Sequence, residues 1–245
     1  MTKTTTELEK LTGKTLKSVD AWRTGHFILT SGKHSSEYMQ CQRVMQYPRL
    51  GNLLADLLIE KVFSEGIEPE VVVGPALGAI HWELYNAQAL ERYQTRVNKN
   101  NDSTFPSLND TAGSAEQLDR ITECSSTDIE KNLVKAIFAE KVETSVDPTG
   151  FAIRRGIELE PGQKVLVVED VTTTGGSVRS VVEMVRALGA NPVAIGAVVD
   201  RSGGKAKFDV PFINLLQLNL ETYEPDNCPL CQSGSEAIKP GSGKK

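Results

Sequence analysis

The sequence predicts an α/β fold with a central, mostly parallel sheet flanked by helices. Two observations carry this: short β-branched runs alternate with longer stretches of helical periodicity, and one such run opens through a Thr/Gly turn into an amphipathic helix. The expected strands are Val71 to Gly74, Ala136 to Ala139, Val165 to Glu169, Val193 to Val199 and Phe212 to Leu216. Between them, Val178, Val181, Val182, Val185 and Leu188 recur at helical spacing from Ser177 to Leu188, with Gly189 closing the helix. A second helix is expected over Asn52 to Phe63, burying Leu53, Leu54, Leu57, Leu58 and Val62.

Composition bounds the rest. A chain of 245 residues with 39% hydrophobic and 24% charged residues fits one soluble domain, here taken as residues 1–245. The net charge of −5 and pI near 5.4 argue against a nucleic-acid binder, which needs a basic surplus against backbone phosphate. Nothing approaches the length of a membrane span, and MTKTTTELEK lacks the apolar run of a secretory signal, so a cytoplasmic location is expected. Residues 91–132 contain NKNNDSTFPSLNDTAGSAEQ, too polar to build a core, and read as an inserted surface excursion with a short helix near Ala115 to Thr122. The tail from Cys228, polar and glycine-rich, is expected to fray.

Four cysteines, at 41, 124, 228 and 231, are too few and uneven for a disulfide scaffold. Cys228-Pro-Leu-Cys231 has metal-ligand spacing, but one CxxC is half a zinc site; the expectation is reduced thiols in a tight turn and no protein-held metal.

The chemistry concentrates in VLVVEDVTTTGGS, residues 165–177. A strand ending in Thr172, Thr173, Thr174, Gly175, Gly176 and Ser177 before a helix offers amides, hydroxyls and the positive helix end to an anion. It lacks the lysine and spacing of a Walker loop and the dinucleotide G-x-G-x-x-G pattern. Glu169 and Asp170, just before it, would repel phosphate alone. They make sense if the ligand also carries a vicinal diol, because carboxylates accept strong hydrogen bonds from hydroxyls. The ligand class indicated is a sugar phosphate.

This stretch closely resembles the phosphoribosyl pyrophosphate signature of type I phosphoribosyltransferases. Further segments resemble the orotate phosphoribosyltransferases: HFILTSGKHSSEYMQCQRV (26–44) is similar to their N-terminal hood motif and VVVGPALGAI (71–80) to their pyrophosphate loop, while AIFAEK, AVVDRSGG and YEPDNCPLC follow in the family's order. The resemblance implies a type I phosphoribosyltransferase fold with a small N-terminal hood over residues 1–45. It also implies transfer of phosphoribosyl from phosphoribosyl pyrophosphate to orotate with Mg2+ held mainly through substrate, and a homodimer with a mobile basic loop. By the same resemblance, Asp170 and Lys141 are the catalytic candidates. Lys141, Glu169, Asp170, Val171, Thr172, Thr173, Thr174, Gly175, Gly176 and Ser177 would meet the sugar donor, and Thr173 and Arg201 orotate; a guanidinium suits the orotate carboxylate.

The chain departs from the common pattern where the mobile loop reads Glu140-Lys141, then Thr144 and Val146, and where Thr30 and Leu77-Gly78 replace basic or aromatic positions. Arg154 and Arg155 could supply replacement charge. His34 is a weaker substrate-facing candidate, since lone histidines are usually structural. The competing readings are a purine or uracil phosphoribosyltransferase, or a non-catalytic sensor of the sugar donor.

Overall fold

The computed structural model describes residues 5–29, 31–97 and 133–240. Helix α1 (Thr5–Ser18) leads into a two-stranded antiparallel hood, β1 (Trp22–Ile28) and β2 (His34–Met39). A short α2 (Gln42–Met45) and a longer α3 (Pro48–Ser64) follow, Pro48 standing in the first turn, where its missing N–H costs nothing. Then come β3 (Val71–Pro75), α4 (Ile80–Val97), β4 (Lys135–Lys141), β5 (Phe151–Ala152), β6 (Lys164–Thr172), α5 (Gly176–Ala187), β7 (Asn191–Asp200) and β8 (Phe212–Gln217), closing with α6 (Pro229–Gln232).

The main sheet has the order β5-β4-β3-β6-β7-β8, all parallel except β5, which runs antiparallel to β4. Strand periodicity divides the core. Val72, Leu166 and Val168 face one side with α1, α3 and α4, while Val71, Val73, Val165 and Val167 face the other, covered by Val178, Val181, Val182, Met184 and Val185 of α5. Two helix layers on one sheet give the predicted architecture, with every expected strand present and each longer by one to four residues.

Three expectations are corrected. The excursion does not begin at residue 91, because α4 continues to Val97, carried by Ala87, Ala89 and Leu90 against the core and by an Arg92–Asp56 ion pair at 2.7 Å to α3. Residues 98–132, with the helix expected at Ala115 to Thr122 and with Cys124, lie outside the described residues. Leu188 is 45% exposed, and Met184 packs in its place. The tail expected to fray from Cys228 is instead paired to the hood: Ile238 donates to His26 and accepts from Ile28, each at 2.9 Å, and ahead of it Tyr223 and His34 exchange backbone hydrogen bonds at 2.8 Å. The hood edge offered unpaired backbone groups, and the tail satisfies them.

Candidate active site

The strand order reverses between β3 and β6, since the chain leaves β3 for β4 on one side and later fills β6 to β8 on the other. Open parallel sheets bind ligands in the crevice beyond the strand ends at such a reversal. The segment after β3 closes one wall of it. Within β3, Gly74 leaves no room for a side chain, because a Cβ there would lie 2.9 Å from both Ala79 Cβ and Glu83 Oε2. The next turn, through Gly78, faces the other wall: a Cβ on Gly78 would sit 3.6 Å from Asp170 Oδ1 and 3.8 Å from Glu169 Oε1. Both acids of β6 therefore look into the same gap.

Asp170 is buried; Gln42 Nε2 donates to its Oδ2 at 2.8 Å and the Val171 amide to its Oδ1 at 2.7 Å. Burial and the neighbouring Asp170 push Glu169 up to about 9, and burial raises Asp170 as well. Two desolvated carboxyls side by side resist ionising together, which favours a bound cation or hydroxyl donors between them.

Downstream of the acids, Glu169 and the residues from Val171 to Val178 line a cup of about 70 Å³, the scale of a phosphate group rather than of a nucleotide. Gly175 turns it, with φ of +77° in the left-handed region, and starts α5 without any side-chain cap, so the first-turn amides face the cup. Arg179 braces the loop, donating to Thr174 O at 2.8 Å and Lys207 O at 3.1 Å across the Phe208 ring. The Thr172 hydroxyl is buried with no partner among the described residues.

Arg201 follows β7, its amide bonded to Thr172 O at 2.8 Å. Asp200 sets its direction: Oδ1 accepts from the Ser202 amide at 2.8 Å and Oδ2 from the Gly204 amide at 3.1 Å, fixing the turn. Burial lowers the Arg201 pKa, while Cys41 and Tyr38, from the hood side, oppose that shift. Its Nε is buried without a partner among the described residues. An uncompensated buried guanidinium donor is expensive unless an anion completes it.

The structure thus brings together Glu169 through Ser177, Thr173 included, with Arg201 one strand away. Lys141 is exposed at the end of β4, two strands from β6, and does not line the phosphate cup. Arg155 pairs with Glu140 at 2.9 Å, so that replacement cation is already engaged. His34 points elsewhere, into a buried contact with His26, and is removed as a substrate-facing candidate. Gln42 and Asp200 were not singled out by the sequence reading; Gln42 lies within the hood segment, and Asp200 directly precedes Arg201.

Acids suited to a diol, amides suited to a phosphate and, one strand away, an Arg201 Nε without a partner among the described residues fit a site for a phosphorylated sugar and a second, anionic ligand. Residues 42–225 match the model of the phosphoribosyl transferase domain. Among curated proteins, the chain is 40% identical to the orotate phosphoribosyltransferase of Caldicellulosiruptor saccharolyticus, covering 93% of this chain and 94% of that one. It is 37% identical to that of Thermotoga maritima, covering 93% and 95%. The orotate phosphoribosyltransferase structure from Aeropyrum pernix superposes with a TM-score of 0.51 at 21% identity, covering 84% of this chain and 93% of that one. An adenine phosphoribosyltransferase from Saccharomyces cerevisiae does so equally, at 0.51 and 17%, covering 83% and 99%. The fold alone therefore does not select the base. The chain belongs to the phosphoribosyl transferase family and, within it, to the orotate phosphoribosyltransferase group.

Proposed function

We propose that the protein transfers phosphoribosyl from phosphoribosyl pyrophosphate to orotate, yielding orotidine 5′-monophosphate and pyrophosphate. The observation that carries the choice of base is the Arg201 Nε beside Tyr38 of the hood, buried without a partner among the described residues. Among the nucleobase acceptors considered, orotate is the one that brings a carboxylate, and a guanidinium fork matches it in two parallel hydrogen bonds.

The amides of Thr173 through Ser177 hold the 5′-phosphate, and Glu169 and Asp170 accept hydrogen bonds from the ribose diol, orienting the anomeric carbon toward the base. Arg201 and Thr173 fix orotate so that a ring nitrogen faces that carbon. A carbon–nitrogen bond forms as the carbon–oxygen bond to pyrophosphate breaks, the departing oxygen keeping the electron pair and the ring N–H proton passing to water or to the leaving pyrophosphate. Ribose becomes cationic on the way, and the buried negative charge of Asp170 favours that state. Lys141 and the 142–150 turn beyond it are the candidates to screen the pyrophosphate end.

The donor set suits Mg2+: hard carboxylate oxygens of Glu169 and Asp170, both desolvated, line the crevice opposite Gly78. The ion would neutralise the leaving polyanion, bound chiefly through substrate oxygens. A homodimer is the assembly the family implies. Leu77, 84% exposed after β3, and Leu84, 47% exposed on α4, are apolar side chains such a partner would cover.

The test is turnover with phosphoribosyl pyrophosphate, Mg2+ and, in separate reactions, orotate, uracil, adenine and hypoxanthine. Loss of orotate absorbance with no reaction of the other three is expected. Consumption of adenine instead of orotate would assign a different acceptor, and donor binding without any turnover would assign a sensor.

A further inference from the structure

The hood carries a second cluster that the transferase chemistry does not use. His26 of β1, His34 at the start of β2, and Cys228 and Cys231 around α6 place one ligand atom each within 4.8 Å of all the others. His26 Nε2 lies 2.9 Å from His34 Nδ1, 3.5 Å from Cys228 Sγ and 3.7 Å from Cys231 Sγ, and Cys231 Sγ lies 3.3 Å from His34 Nδ1. A tetrahedron built on Zn–N near 2.05 Å and Zn–S near 2.3 Å has edges of about 3.3 Å between nitrogens and about 3.6 Å between nitrogen and sulfur. The three nitrogen–sulfur spacings bracket their edge, and the nitrogen–nitrogen spacing of 2.9 Å is a few tenths of an ångström shorter than its own.

Hydrogen bonding does not account for the convergence. His26 Nδ1 is 2.9 Å from the carbonyl oxygen of Ser235, so that nitrogen carries the ring proton and Nε2 is left with a lone pair. One lone pair accepts one hydrogen bond, yet three groups crowd it. The carbonyl contact is also the outer support that fixes a metal-bound imidazole's tautomer and ring angle. His26, His34 and Cys228 are buried, at 4%, 8% and 0% exposure, while Cys231 stands at the surface and leaves an entry path.

We propose that His26 Nε2, His34 Nδ1, Cys228 Sγ and Cys231 Sγ form a structural tetrahedral site for one Zn2+, fastening the C-terminal segment to the hood. Two thiolates and two neutral imidazoles balance the dication, so the buried complex carries no net charge. Imidazole and thiolate donors select zinc over Mg2+ or Ca2+, which take oxygen. A two-iron cluster would hold thiolates and imidazoles on different irons and would not bring sulfur and nitrogen this close. All four positions are protein ligands, so no open position remains for catalysis. The backbone pairs Tyr223–His34 and Ile238–His26 flank the site and present its ligands already aligned. The metal in turn locks β2, the strand that carries Tyr38.

The test measures metal, not turnover. The full chain is purified without chelator, equilibrated with Zn2+, desalted and assayed for zinc by mass spectrometry. Apoprotein is separately titrated with Co2+. The expected result is about one zinc per chain, with intense tetrahedral Co2+ bands and thiolate charge transfer. His34→Ala and Cys231→Ser should each lower retained zinc at least about tenfold, while His81→Ala, on exposed α4 surface, keeps it. Circular dichroism checks that each variant is folded, and Cys231, at the surface, is the ligand whose loss disturbs packing least. Folded wild-type protein that retains no zinc, Co2+ spectra without thiolate charge transfer, or wild-type zinc content in a His34→Ala/Cys231→Ser variant would each overturn the site.

Discussion

Gln42, the first residue of α2, donates from Nε2 to Asp170 Oδ2 at 2.8 Å, linking the hood segment to the acid pair of β6. The hydrogen bond spans the two halves that the proposed reaction brings together, base side and sugar side. It also favours the ionised carboxylate, against the burial that favours the protonated one.

Gln42→Ala should therefore raise KM for phosphoribosyl pyrophosphate about tenfold, the scale of one hydrogen bond to a charged group, with a smaller change in KM for orotate. Gln42→Glu should be worse than alanine at neutral pH, because it adds a third carboxyl to the pair. Steady-state kinetics with each substrate varied reads both effects, and a glutamate variant that behaves as wild type would remove Gln42 from the site.

Arg201→Ala should weaken orotate far more than the sugar donor. Losing two charge-assisted hydrogen bonds is worth about 2–3 kcal/mol, or about 30- to 150-fold in orotate KM. Arg201→Lys should recover little, since an ammonium cannot reproduce the fork. Equal losses for both substrates would place Arg201 on the donor side instead.

Much of this was legible in the sequence for physical reasons. Strands buried on both faces must be continuous apolar runs, so Val71 to Val73 and Val165 to Val168 announced themselves, and the Thr/Gly turn marked the phosphate cup. What stayed hidden was relation across distance. Cys228 and Cys231 looked like half a metal site because nothing in a linear reading says that His26 and His34, some 200 residues earlier, meet them. The tail looked unstructured because its composition is polar, yet it is held by backbone pairing to the hood, which composition does not report. Helix α1 has its buried Leu8, Thr12, Thr15 and Leu16 at helical spacing, but two threonines blur the apolar signal. Lys141 was chosen by position in a motif, and its strand ends away from the cup.

Gly175→Ala tests the cup. An alanine at φ of +77° costs about 1–2 kcal/mol. Its Cβ would also lie 2.6 Å from Phe208 Cζ. The variant should lose stability and raise KM for the sugar donor. Phe208→Ala in the same background removes the collision but not the backbone cost, so it should restore part of the loss. A double-mutant cycle in Tm and donor KM measures that share; strict additivity would mean that the Phe208 contact plays no part.

Glu83 supplies a pH prediction distinct from the acid pair. It is 3% exposed under Gly74 at the end of β3, and burial pushes its carboxyl up to about 8, with only partial relief from the Gly74 backbone amide. Between the ordinary glutamate value of 4.5 and about 8, the folded protein holds a proton that the unfolded chain has released. The unfolded state therefore binds fewer protons in that window, and stability falls as pH rises through it. Glu83→Gln keeps the shape and removes the ionisation. Its melting temperature should match wild type near the acid end of the window and exceed it at pH 8. Each kcal/mol recovered moves the Tm of a chain this size by about 2–4 °C. Thermal melts of the free protein across that range, run without substrate so that Glu169 and Asp170 contribute equally to both proteins, read the difference directly. A wild type and a Gln variant whose melting curves stay parallel from acid to pH 8 would show that Glu83 carries its charge in the folded state after all.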